Sequence, residues 1–197
     1  LLEPDLVLAG TFTTRATVDM LRRLGIDVVE FAPEGSLADT RANIAAMGAA
    51  LGRQDAAAAM IAAFDADLAL LAADATETAP RAALYYANGY TTGEHSLAGE
   101  VMRLAGFRNI ASEGALAGRW VIALEELILA NPDVVITGDV YAGASNAEEL
   151  LRHPALRELM RDRAGAGISG PDWVCGTPFL LRSLARLVAL RQSLGGE

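Results

Sequence analysis

Six aromatic side chains and a handful of polar ones hold the chemistry of this chain, and that chemistry is binding. Phe12, Tyr86, Tyr90, Trp120, Tyr141 and Trp173 all fall at or just past the ends of expected strands. In an open α/β sheet, ligands bind beyond the carboxyl ends of the strands. Aromatic faces beside the hydroxyls of Thr13 and Thr91 and the amide of Asn88 suit a large, partly apolar ligand. Some of these rings must pack under loops, and strand alternation turns either Tyr85 or Tyr86 into the core.

Covalent and metal chemistry find fewer footholds. The chain has no lysine, since all sixteen basic residues are arginine, which excludes a Schiff-base lysine and a P-loop lysine. Cys175 is the only cysteine, so no internal disulfide and no cysteine-based metal site can form. Of the two histidines, His153 precedes Pro154 at a helix start and reads as a structural turn. His95, beside Glu94, reads as a solvated loop residue facing a cleft, with a haem or metal contact as the alternative. No H-x-x-x-H spacing occurs, and neither a metal site nor a cofactor is expected. Gly165-Ala166-Gly167-Ile168-Ser169-Gly170 has dinucleotide-binding spacing, but a helix precedes it and Pro171-Asp172-Trp173 follow, so a loop is expected there. No G-x-S-x-G elbow appears. Asp139, directly after a strand, suits a ligand contact and a turn cap equally well.

Composition narrows the function classes. With 52% apolar and 21% charged residues the chain is globular, and its formal charge of −9 argues against nucleic acid as a partner. No apolar run approaches the ~20 residues of a membrane helix.

The elements that must position the aromatics form a repeat. Leu2-Glu3-Pro4-Asp5-Leu6-Val7-Leu8-Ala9-Gly10 returns as Ala130-Asn131-Pro132-Asp133-Val134-Val135-Ile136-Thr137-Gly138. Each copy is a Pro-Asp turn, a buried apolar strand and a glycine. Likewise Met20–Gly25 followed by Ile26–Val29 echoes Val101–Gly106 followed by Phe107–Ile110, in each case a helix closing on glycine before a new strand. The fold class is therefore α/β, with two Rossmann-like lobes of parallel sheet. Residues 1–35 are the remainder of an N-terminal lobe, expected to be incomplete because the chain lacks an initiating Met and opens inside the first strand motif. Ser36 and Asp39 form a capping box that starts a helical segment, 36–76, interrupted at Gly52 and serving as a strut between lobes. Residues 77–197 form the C-terminal lobe: strands Arg81–Ala87, Phe107–Ala111 and Asp133–Thr137, helices Ser96–Ala105, Leu124–Ala130 and Pro178–Leu194, and a helix broken at His153-Pro154. Two lobes imply a cleft for a small ligand.

Several motifs, in order along the chain, resemble ABC-transporter substrate-binding proteins of the long-backbone-helix class. They are Pro4–Gly10, Asn43 with Gly48 and Leu51-Gly52, Tyr85-Tyr86-Ala87-Asn88-Gly89-Tyr90, Leu104–Asn109, Leu124-Glu125-Glu126-Leu127 before Asn131-Pro132-Asp133, His153-Pro154-Ala155-Leu156, and Trp173–Pro178. The resemblance covers essentially the whole chain. It implies a periplasmic, monomeric receptor that captures vitamin B12, a ferric siderophore or haem between its lobes and delivers it to an inner-membrane permease. In that family a glutamate on each lobe docks on permease arginines. Glu125 matches the second-lobe position and Glu126 is the neighbour able to substitute, while an ordinary first-turn glutamate favoured by the helix dipole explains either residue equally well. The alternatives are a cytosolic two-lobed reductase or chelatase-like enzyme using the same cleft, and a binding module with a sensory role.

Overall fold

The computed structural model describes residues 3–73, 75–138, 146–161, 164–167, 172 and 176–194. Two compact units divide the chain, Leu1–Ala63 and Phe64–Glu197. The boundary falls inside helix α3 (Gln54–Leu71).

The first unit begins with strands β1 (Leu6–Gly10) and β2 (Asp27–Phe31), paired in parallel from Leu6–Asp27 to Gly10–Phe31 and joined by helix α1 (Arg15–Arg23). The end of α1 is a Schellman motif: Gly25 adopts φ +80°, its N–H reaches Arg22 O, and Ile26 N–H reaches Leu21 O. Helix α2 (Leu37–Ala50) starts at Ser36, whose Oγ accepts the Asp39 N–H at 3.1 Å. The Asp39 carboxylate accepts in return from the Gly35 N–H and the Ser36 hydroxyl. Gly52 turns the chain into α3. At Gly48 any Cβ would lie 2.4 Å from that of Ala57, so the end of α2 is seated directly on the start of α3.

The second unit is a four-stranded parallel sheet in the order β4-β3-β5-β6. Its strands are β3 (Arg81–Leu84), β4 (Arg108–Asn109), β5 (Val134–Thr137) and β6 (Ala164–Gly167). Ala82, Ala83, Leu84, Val134, Val135 and Ile136 are all fully buried, as befits central strands covered on both faces. Alternation sends Ala83, Tyr85 and Val135 to one face, where they pack with Leu124 and Leu127 of α5 (Leu124–Ala130) and Leu156 of α7 (Pro154–Arg161). Between these two helices in the chain lies the short α6 (Asn146–Glu149). Helices α4 (Leu97–Leu104) and α8 (Leu180–Leu194) pack on each other, α4 beside β4 and α8 beside β6. Helix α4 closes as α1 does, with Gly106 N–H to Arg103 O and Phe107 N–H to Met102 O.

Three segments depart from expectation. The strand expected over Arg81–Ala87 ends at Leu84, because the Tyr86 N–H turns back to Tyr90 O and Ala87–Gly89 forms a 3₁₀ turn. The glycine-rich stretch expected to be a loop contains β6, whose ladder pairs Val134 with Ala164 through Thr137 with Gly167. Parallel pairing uses only backbone groups, and a free edge on β5 overrides the weak strand propensity of Ala and Gly. The strand expected over Phe107–Ala111 is only Arg108–Asn109, because the Asn109 side chain accepts the Ala111 N–H and curls the chain into a 3₁₀ turn, Ile110–Ser112.

Candidate binding face of the second unit

The two ends of this sheet are built differently. Where β3 and β4 begin, Glu113 accepts from Arg81 Nε and Nη2 at 2.9 and 2.7 Å and from Arg108 Nη2 at 2.7 Å. Arg81 Nη1 also donates to Ala130 O, and the Arg81 N–H donates to Asp133. Every charge in this clasp has a partner, so that end holds strands together and offers little to a ligand.

Where β3 ends, the chain turns sharply through Tyr85–Tyr90. Asn88 and Gly89 are both left-handed, at φ +60° and +70°. The Tyr86 N–H reaches Tyr90 O, and the Tyr90 N–H reaches Ala87 O. A second segment then locks on: Ile122 N–H donates to Gly89 O, Thr91 N–H donates to Trp120 O, and Tyr90 bridges antiparallel to Val121. These bonds present the Tyr90 and Trp120 rings side by side, with centroids 6.2 Å apart and planes inclined by 27°. Tyr90 is 43% exposed and Trp120 60%, and an exposed aromatic pair on a rigid turn is a ready stacking surface. Asn88 is exposed beside them, and Tyr86, half-buried, lies against Gly138.

Tyr85 is the tyrosine that faces the core. Burial, and secondarily the Glu125 carboxylate, push its hydroxyl from the ordinary 10.0 up to about 12, and among the described residues that hydroxyl has no hydrogen-bond partner. Tyr85 therefore stays neutral at physiological pH. The folded state holds this proton more tightly than the unfolded chain does. Its stabilising contribution is complete below pH 10 and is lost as pH rises from about 10 to about 12. Urea midpoints measured across that range should fall for the natural chain and fall less for Tyr85→Phe.

In the first unit Phe12 is 80% exposed, and its ring lies back over Gly10, where any Cβ would meet it at 2.3 Å. Thr13 is half-buried, and its N–H is held by Gly10 O. Thus Tyr90, Trp120 and Asn88 come together on the second unit, with Tyr86 on the same turn, while Phe12 and Thr13 stand on the first. Asp139, Tyr141 and Trp173 lie outside the described residues.

The two acidic residues at the start of α5 differ. Glu126 accepts the Ala123 N–H at 2.8 Å and the Arg119 guanidinium at 2.5 Å, and Arg119, foremost, holds its carboxyl below the usual carboxylate range. Glu125 is exposed and has no ion-pair partner among the described residues.

Sequence reasoning missed one feature, a hollow of about 460 Å³ beside the stacked pair. Its walls come from three stretches, Thr92–His95, Ala111-Ser112 and Ala117–Trp120. The one signal for it in the sequence was His95 beside Glu94. His153, the other histidine, caps α7: its Nδ1 accepts the Ala155 N–H and its carbonyl accepts from Leu156. Among the described residues, no three histidine, cysteine or acidic side chains gather as a metal site.

Comparison with known proteins decides the family. Residues 1–160 match the model of the periplasmic binding proteins. The chain belongs to that family. A cobalamin-binding protein of Halobacterium salinarum is 34% identical to this periplasmic binding protein over 141 residues, covering 70% of the chain and 38% of the relative. The chain thus spans well under half the length of the curated relative it matches. Among solved structures, the apo haem-binding protein RhuT of Roseiflexus sp. RS-1 superposes with a TM-score of 0.79 at 20% identity, over 98% of this chain and 77% of that one. The vitamin B12-binding protein BtuF of Vibrio cholerae gives 0.67 at 17% identity, over 100% and 77%. At these identities the solved structures bear on fold alone, and they bear out an α/β periplasmic binding protein fold with parallel sheets. These named relatives and neighbours are binding proteins, and no helix among the described residues is long and apolar enough to cross a membrane.

Proposed function

We propose that this periplasmic binding protein is the substrate-binding component of an ABC importer, working as a monomer outside the cytoplasm. It captures a metal chelate or corrinoid and hands it to an inner-membrane permease. The observation that carries this reading is the exposed Tyr90–Trp120 pair on the hydrogen-bonded turn after β3. Rings held by backbone bonds lose little entropy on binding, so their stacking energy is available to a flat macrocycle. The 34% identical relative is a cobalamin-binding protein, which supports trying corrinoids first among the three ligand classes. Phe12, Thr13, Tyr86, Asn88, Tyr141 and Trp173 complete the proposed contact set, and Glu125 is the proposed docking residue with Glu126 as its neighbour. The division into 1–35, a backbone helix at 36–76 and a lobe at 77–197 belongs to the same proposal. A cytosolic reductase or chelatase is not favoured, because the family and the structural neighbours are binding proteins.

Titration of the purified protein with cobalamin, haemin and a ferric hydroxamate, followed by calorimetry and absorbance, tests this. Cobalamin should bind, and Trp120→Ala should weaken it about tenfold without lowering the melting temperature, since the ring is exposed. Equal affinity in wild type and variant would assign Trp120 to the surface alone. Failure of all three ligands to bind would overturn the proposal.

A further inference from the structure

Helix α5 reads Leu124-Glu125-Glu126-Leu127-Ile128-Leu129-Ala130, with no polar side chain after its first turn. Leu124 and Leu127 turn inward and are buried in one cluster with Tyr85 and Leu156. Glu126 closes the first turn and holds Arg119. The outward side is left to Glu125, Ile128 and Leu129, whose spacing of three and four residues makes them neighbours on one helix face. Leu129 is 83% exposed and Ile128 37%, where a solvated helix face carries polar residues. A single exposed leucine is ordinary. Here two aliphatic side chains adjoin a carboxylate that has no ion-pair partner among the described residues.

That combination selects its occupant by charge. A two-fold contact over this short face would bring Glu125 against the Glu125 of a second copy, between molecules that each carry a formal charge of −9. An anionic lipid surface is repelled by the same charges. A cation that itself sits among apolar groups fits, because aliphatic side chains on both partners exclude water from the ion pair and protect it from salt. Arginine suits such a site better than lysine, since its guanidinium is weakly hydrated and meets a carboxylate with two parallel bonds. The face is also small. A stable interface buries ~800 Å² on each partner, far more than two aliphatic side chains and a carboxylate supply, so the contact suits a partner that is engaged and then released.

We propose that Ile128 and Leu129 form an apolar collar beside Glu125, so that the outward face of α5 docks on a permease arginine set among apolar side chains. This assignment rests on the docking role proposed for Glu125 above. It adds what the charge alone does not specify: the partner surface is an arginine in an apolar setting, and Leu129 is the contact that dries the pair.

Binding of the purified protein to the cognate permease in nanodiscs, measured at about 0.1 and about 0.5 M salt, tests it. Leu129→Gln should weaken binding about fivefold at the lower salt and more at the higher, because the ion pair is then wetted and screened. Leu129→Met keeps an apolar side chain and should bind as wild type does. Glutamine and leucine have similar helix propensity and the site is exposed, so the melting temperature of Leu129→Gln should hold. In a Glu125→Gln background there is no ion pair to dry, and Leu129→Gln should cost twofold or less, about the spread of independent sites. Met60→Gln, at an exposed apolar residue of α3, is the control and should change nothing. Wild-type binding by Leu129→Gln, with binding lost in Glu125→Arg, would overturn the collar and leave the docking glutamate standing. An equal loss from Leu129→Gln in both backgrounds would also overturn it, since the leucine would then act apart from the charge. Sedimentation and vesicle flotation cover the other occupants: self-association or lipid binding that Leu129→Gln removes would refute the permease as partner of this face. Full binding by Glu125→Arg would remove the docking role and the collar together.

Discussion

Replacing Gly89 with alanine will destabilise the second unit by about 2–4 kcal/mol and abolish the stacked aromatic pair. Two effects add. Gly89 sits at φ +70°, where a side chain strains the backbone by about 1–2 kcal/mol. Its Cβ would also lie 2.4 Å from the Ile122 carbonyl oxygen, a backbone atom that cannot swing aside. Relief requires the turn to lift from the Trp120–Ile122 segment, which breaks the Ile122 N–H bond to Gly89 O and the Tyr90–Val121 bridge. Asn88→Gly is the control: Asn88 already tolerates φ +60°, so glycine there should change stability by about 1 kcal/mol or less. Urea denaturation followed by tryptophan fluorescence measures both variants, since Trp120 leaves its partner ring as the turn lifts. A Gly89→Ala protein of unchanged midpoint and unchanged spectrum would show that the turn does not depend on this close approach.

How far the sequence foretold this architecture depends on whether a feature is local. Helix α5 and strand β2 appear over the expected residues, and the Ser36–Asp39 cap and the glycine ends of α1 and α4 form as their spacing implied. Each is decided by a few neighbouring residues. Strand β6 was missed because what makes Ala164–Gly167 a strand is the free edge of β5, some thirty residues earlier in the chain. The stacked pair was legible as two aromatic residues past strand ends, but their meeting was not. It is carried by backbone bonds between Gly89–Thr91 and Trp120–Ile122, which no side-chain pattern reports. The hollow was the least legible feature of all. It depends on one buried asparagine with hydrogen bonds to two separate loops, and Asn109 in sequence is only an ordinary polar residue after a strand.

The docking role proposed for Glu125 predicts that charge reversal there abolishes delivery to the permease while sparing both the fold and the ligand. The geometry at the start of α5 separates this residue from its neighbour. Glu126 is committed, closing the first turn onto the Ala123 N–H and anchoring Arg119 next to Trp120, so reversing it disturbs the helix start and the Tyr90–Trp120 surface together. Glu125 is exposed on the first turn, where its negative charge gains only the helix-dipole term, about 0.3–1 kcal/mol. Its reach inward is limited to the electrostatic influence on the Tyr85 hydroxyl. Glu125→Arg should thus shift the melting temperature slightly and leave ligand affinity within about twofold. In proteoliposomes containing the cognate permease, uptake should fall at least tenfold, because an arginine facing an arginine replaces attraction with repulsion. Reversal of Glu149, exposed on α6, changes net charge equally and should leave uptake unaltered. Restoring uptake by a compensating arginine-to-glutamate change in the permease would establish the pairing directly. Full uptake by Glu125→Arg would show that the glutamate serves only the helix start.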